Sequence, residues 1–145
     1  MILFLDTSAL MKAYAKEAYS EEVRNALKEA SGSFVSLIAW AEMCAAFGLK
    51  ERTQQITQAE AAAGLNRLKK EWANFGQIAV DGALMVEAGE LALRFGLRAY
   101  DSVQLASAKR MYKQLGSHLV FCCFDKQLNA ASAALGIQVM NNSVL

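Results

Sequence analysis

Apolar and polar positions alternate along the chain in short blocks of changing period. The first block, Ile2 to Leu5, is apolar at every position, which fits a strand buried on both faces. A helix from about Ser8 to Lys16 is predicted after it. Beyond Ser20, Val23, Leu27 and Ala30 share one helical stripe, Glu21, Glu22, Arg24, Lys28 and Glu29 take the other side, and Gly32 marks the stop. Ser33 to Ser36 reads as a second strand. Ile38 to Lys50 is helical in period, with Ser36 or Leu37 near its start.

Thr57-Gln58-Ala59-Glu60 has the form of a capping box, and Ala61, Leu65, Leu68 and Trp72 then recur at helical spacing towards Gly76. Gln77 to Val80 reads as a third strand. Asp81 caps a predicted helix carrying Leu84, Ala88, Leu91 and Phe95, and Gly96 stops it. A helix over about Tyr100 to Leu115 turns Leu105, Ala108, Tyr112 and Leu115 inward and Lys109, Arg110 and Lys113 outward. His118 to Phe124 is the strongest strand pattern. Asp125 opens a helix through Leu128, Ala131 and Leu135, and Ile137 to Met140 reads as a last short strand. Strands alternating with helices imply right-handed parallel crossovers, so the expected fold is α/β: a three-layer α/β/α sandwich with a central, mostly parallel sheet. Ligands of such sheets collect beyond the carboxyl ends of the strands.

Composition narrows the chemistry. At 145 residues the chain has room for one domain, taken as residues 1–145. Fifteen Lys and Arg against fourteen Asp and Glu leave a net charge of +1, so any affinity for nucleic acid must be local rather than a general basic field. Proline is absent, which excludes proline-rich linkers and polyproline recognition segments. A single histidine, His118, excludes chemistry built on two imidazoles. Cys44, Cys122 and Cys123 form no Cys-x-x-Cys pair and read as reduced, buried, small apolar residues. The first apolar run fits neither a signal-peptide core nor a membrane span, so the expectation is a cytoplasmic protein without membrane contact.

Four aspartates, Asp6, Asp81, Asp101 and Asp125, all fall at the ends of predicted elements. Each taken alone suits an N-cap, a role that contributes about 1 kcal/mol. Asp6 suits it least, because Thr7 and Ser8 are competent caps and leave its carboxylate free to face a cleft. Glu42 stands among apolar residues, so it either reaches solvent at a helix edge or has a cation beside it. Carboxylates gathered at one end of a sheet repel one another, and a divalent cation is their natural neutraliser. Oxygen-only ligation selects Mg2+ or Mn2+ and points to phosphoryl chemistry. Position alone does not separate Asp81 from Asp125 as a member of such a site.

Leu3-Phe4-Leu5-Asp6-Thr7-Ser8-Ala9-Leu10, then Glu42, then Leu97-Arg98-Ala99-Tyr100-Asp101-Ser102-Val103-Gln104-Leu105-Ala106-Ser107-Ala108, then Phe124-Asp125-Lys126-Gln127-Leu128 follow one another in a familiar order. In that order they resemble PIN-domain ribonucleases, and among them the VapC-type toxins of toxin–antitoxin pairs. The resemblance implies a Mg2+- or Mn2+-dependent endoribonuclease in which Asp6, Glu42, Asp101 and Asp125 form the metal site and Ser8 supports the first carboxylate. It also implies an RNA substrate, a cognate antitoxin protein whose tail covers the acidic cleft, and a homodimer. Asp81 is left as a plain cap. The alternative is a degenerate PIN module that binds RNA or a protein partner without cutting. Cys122-Cys123 departs from the family's more usual small polar lead into the fourth acid. Lys12 and Arg98 are candidate contacts to RNA phosphates, whereas Lys16, Lys109, Arg110 and Lys113 read mostly as solvated helix faces. Trp40, Phe47 and Trp72 read as core or interface, and His118 as a surface residue.

Overall fold

Five strands, β1 (Ile2–Leu5), β2 (Gly32–Ser36), β3 (Gly76–Ile78), β4 (Leu119–Cys122) and β5 (Gln138–Val139), form one parallel sheet in the order β3-β2-β1-β4-β5. The computed structural model describes residues 1–140. β1 is flanked on both sides: Phe4 pairs with Phe34 on one edge and Phe121 on the other, and Leu5 pairs with Cys122. That central place explains why its sequence is apolar without alternation.

Side chains leave the strands alternately, so two cores form. Leu3, Leu5, Val35, Val120 and Cys122 pack beneath α1 (Thr7–Tyr14), α2 (Ser20–Glu29), α3 (Ile38–Arg52) and α4 (Gln58–Glu71), against Leu10, Val23, Met43, Phe47 and Leu68. Phe4 and Phe121, whose rings stack with centroids 5.8 Å apart, face α5 (Gly82–Phe95), α6 (Ala99–Leu115) and α7 (Lys126–Ala134) through Leu84, Leu91, Leu105, Ala108 and Leu128. The expected three-layer α/β/α arrangement is the one observed. β2 and β3 lie to one side of β1, and β4 and β5 to the other. The direction of winding therefore reverses between β1 and β4, and a crevice opens at their carboxyl ends.

The Thr57–Glu60 capping box forms as predicted, and Gly96 ends α5 in the left-handed region at φ 65°. Gly64 allows α4 to lie close to its neighbours: a Cβ there would stand 2.6 Å from the Phe47 ring and 2.9 Å from the Tyr14 carbonyl. Several boundaries differ from the sequence expectation. α1 stops at Tyr14 because Ala15 is extended, at φ −126° and ψ 158°, which puts Lys16 outside the helix. β3 begins one residue early, and β4 is shorter than predicted because Gly116–His118 is a 3-10 turn. Cys122 and Cys123 are buried, but Cys44 is exposed. Met43 and Phe47, four residues apart, take the inner face of α3 and leave Cys44 turned outward. Phe47 belongs to the core, Trp40 packs edge-on against Trp72 at 5.2 Å, and His118 is exposed. Among the described residues no helix is long and apolar enough to cross a membrane.

Candidate active site

The acids at the β1–β4 crevice are positioned by the chain on either side of them. Asp6 directly follows β1, and its N–H extends the ladder by donating to the Cys122 carbonyl at 3.1 Å. Its backbone is extended, at φ −75° and ψ 176°, and its side chain caps α1 by accepting from Ala9 N at 3.0 Å. The sequence expectation gave that cap to Thr7 or Ser8, and the structure corrects it. Both hydroxyls are turned to other work. Ser8 Oγ donates to Asp6 Oδ1 at 2.7 Å and accepts from Phe124 N at 3.0 Å, so it ties β1 to the chain leaving β4. Thr7 Oγ1 donates to Glu42 Oε1 at 2.8 Å. Asp6 Oδ2 accepts from Cys123 Sγ at 3.1 Å. The carboxyl is 4% exposed, and burial pushes its pKa up to about 6 against the opposing pull of the Ser8, Ala9 and Cys123 bonds, with the Asp101 charge adding to the rise.

Glu42 projects from α3 and is half-buried. Its partial exposure fits the alternative in which it reaches solvent at a helix edge. Two neutral donors hold it: Thr7, and Gln104 Nε2 of α6 at 2.8 Å. Gln104 Nε2 also donates to Thr7 Oγ1 at 3.1 Å. Asp101 stands on the first turn of α6, one turn before Gln104, and pairs with Arg98 at 3.2 Å. Asp125 caps α7 by accepting from Leu128 N at 2.8 Å, while its own N–H donates to Cys123 Sγ at 3.3 Å.

These bonds form two groups that meet only through the chain link between Asp6 and Thr7: Asp6, Ser8, Cys123 and the backbone of Asp125 in one, Thr7, Glu42 and Gln104 in the other, and the Asp101 charge bears on Asp6. Asp81 stands apart after the edge strand β3, where it caps α5 and makes a two-pronged pair with Arg110 at 3.0 Å. That guanidinium, with the Leu84 N–H, holds the Asp81 carboxyl down at about 2. Of the predicted RNA contacts, Arg98 is engaged with Asp101, and Lys12 pairs with Glu17 at 2.9 Å and lies 4.8 Å over the Phe124 ring. Among the described residues no three Asp, Glu, His or Cys side chains are drawn together as a ready ligand group.

Three participants escaped the sequence reading: Thr7 as a hydroxyl donor, Cys123 as a donor to Asp6, and Gln104. A signal for Gln104 was present. It is an amide one turn after Asp101, inside a segment of α6 where Ser102 to Ala108 are all buried.

Fold and site together define a class: open parallel α/β domains with acids beyond the carboxyl ends of the strands at a topological switch point. Residues 3–132 match the PIN domain family, and the chain belongs to it. It is 30% identical over 138 residues to ribonuclease VapC46 of Mycobacterium tuberculosis, covering 95% of each chain, and 26% identical to ribonuclease VapC45 of the same species, over 95% of this chain and 94% of that one. Among solved structures, PAE2754 of Pyrobaculum aerophilum superposes with a TM-score of 0.65 at 21% identity, covering 99% of this chain and 93% of that one. FitAcB of Neisseria gonorrhoeae gives 0.64 at 20% identity over the whole of both chains.

Proposed function

We propose that this protein is a divalent-metal-dependent endoribonuclease of the VapC type, the toxin of a toxin–antitoxin pair. The observation that carries the reading is the buried Asp6 carboxylate after β1, felt by the Asp101 charge, with Glu42 held through the adjoining Thr7 and Gln104. Its likeness to two ribonucleases over nearly the full chain supports the same chemistry.

The residues suit a hard cation. Every candidate ligand is a carboxylate oxygen, the set that selects Mg2+ or Mn2+ over softer metals. Burial raises the Asp6 pKa to about 6, and among the described residues no Lys or Arg pairs with it, so a cation beside it would offset the cost of its charge. Asp6, Glu42 and Asp101 would hold the ion, with Asp125 beside them. When bound, such an ion supplies charge neutralisation at the phosphodiester and a more acidic water. The chain's own residues do the rest. Ser8 and the Ala9 N–H fix Asp6 Oδ1, and Cys123 orients Oδ2. In this reading Arg98, exposed beside Asp101, would meet RNA phosphates, and Lys12 would do so on leaving Glu17. An antitoxin partner, whose tail would cover the acids, and a homodimer belong to the same proposal through the resemblance to VapC-type toxins.

The test is RNA cleavage with added Mg2+ or Mn2+ by the wild type, Asp6→Asn, Asp101→Asn and Asp81→Asn. Cleavage is expected to vanish in the first two variants and with a chelator, and to persist in Asp81→Asn. Undiminished activity in Asp6→Asn and Asp101→Asn refutes the proposal. RNA retention without cleavage by the wild type would instead mark a binding module.

A further inference from the structure

We propose that Gln104 is a positioning residue for Glu42: with the Thr7 hydroxyl it fixes one carboxylate oxygen and leaves the other free for a divalent cation. The inference rests on the metal-dependent reading above and deepens it. Gln104 is 2% exposed in the middle of α6, where an amide carries a desolvation cost that an aliphatic side chain would not. Its Nε2 donates to Glu42 Oε1 at 2.8 Å and to Thr7 Oγ1 at 3.1 Å, and Thr7 Oγ1 donates to the same Glu42 oxygen at 2.8 Å. Both donors converge on Oε1, and among the described residues none reaches Oε2.

Gln104 Oε1 is buried, and among the described residues it has no hydrogen-bond partner. Turning the amide over would set that oxygen against the Glu42 carboxylate, so electrostatics fixes its orientation. The fold thus keeps a buried amide with one acceptor unpaired, at a place where leucine would fill a similar volume. The Glu42 contact gives the amide its purpose. A lysine or arginine would also hold Glu42, but it would cancel the charge on which cation binding depends. An amide and a hydroxyl hold the carboxylate without neutralising it. Because Gln104 stands one turn after Asp101, the same helix presents one acid and anchors another.

The test is Mn2+ titration of metal-free protein, read from the electron paramagnetic resonance of free Mn2+, for wild type, Gln104→Leu, Glu42→Gln and the double variant. Gln104→Leu is expected to weaken Mn2+ binding by about 10–100-fold. The double variant should bind no more weakly than Glu42→Gln alone, because Gln104 acts through Glu42. Circular dichroism checks that each variant is folded. Thr7→Val, which removes the other donor, should lose affinity in the same direction, and it decides the matter if Gln104→Leu does not fold. Affinity in Gln104→Leu within about twofold of wild type, or losses that add in the double variant, overturns the proposal. So does unchanged affinity in Thr7→Val where Gln104→Leu is unfolded. Unchanged affinity in Glu42→Gln overturns instead the reading of Glu42 as a metal-holding residue, and this proposal with it.

Discussion

Asp6→Asn should make the metal-free protein more stable while abolishing its nuclease activity. The wild-type carboxylate is buried, with three donors and no cation, and burial raises its pKa from the ordinary 3.8 to about 6. Between those values the folded protein holds a proton that the unfolded chain has released, so stability falls as pH rises through the window and levels off above it. At 1.36 kcal/mol per pH unit, the rise of about two units makes ionised Asp6 cost about 3 kcal/mol at pH 7 and above. Asparagine keeps the shape and the acceptor facing Ala9 N and Ser8, and it removes the charge. Urea unfolding in chelator at pH 4.5, 6 and 8 reads the difference. The variant should lead by about 1–3 kcal/mol at pH 8 and by less than half of that at pH 4.5. In thermal scans each kcal/mol is worth about 2–4 °C for a chain of this size. Adding Mn2+ at about a hundred times its Kd should return about 2.7 kcal/mol to the wild type and little to the variant. A variant less stable than wild type at pH 8, or a lead that does not change with pH, refutes the claim that this carboxylate is desolvated.

Mn2+ affinity of the wild type should fall as pH drops through about 6, because protons and the cation compete for Asp6; calorimetric titration at pH 5.5 and 7.5 checks the direction. Thiol titration with a disulfide reagent should find one fast cysteine in the native protein, Cys44, and three in urea. Burial, then the Asp6 charge, pushes the Cys122 thiol up to about 12 and Cys123 higher still. Gly64→Ala should destabilise by about 1–3 kcal/mol, since its Cβ meets the Phe47 ring and a backbone carbonyl. Gly89→Ala, on the exposed side of α5 with open space around it, should stabilise by about 0.5–1 kcal/mol, measured by the same denaturation.

Much of the fold was written locally. The unbroken apolar run of β1, the stripe of Val23, Leu27 and Ala30 along α2, the Thr57 box and the Gly96 stop depend only on period and on cap chemistry within a few residues. The same local logic put Asp6 and Asp125 beyond strands whose carboxyl edge collects ligands, and Asp101 at the start of a helix. What the sequence did not decide is how each acid is held. Asp6 and Asp125 are both caps, and in the proposed site they would serve as carboxylate ligands as well, a double role that a local reading treats as alternatives. Glu42 meets Thr7 and Gln104 across 35 and 62 residues of chain, and Cys123 meets Asp6 across 117. Contacts of that range come from strand order, β1 lying between β2 and β4, rather than from any helical or strand period. Local period and cap chemistry thus suffice to name the acids and to set Asp6 and Asp125 after their strands. Only the folded layers join Glu42 to Gln104 and Asp6 to Cys123 and bury the Asp6 carboxyl, because solvent exclusion and partner choice are properties of packing.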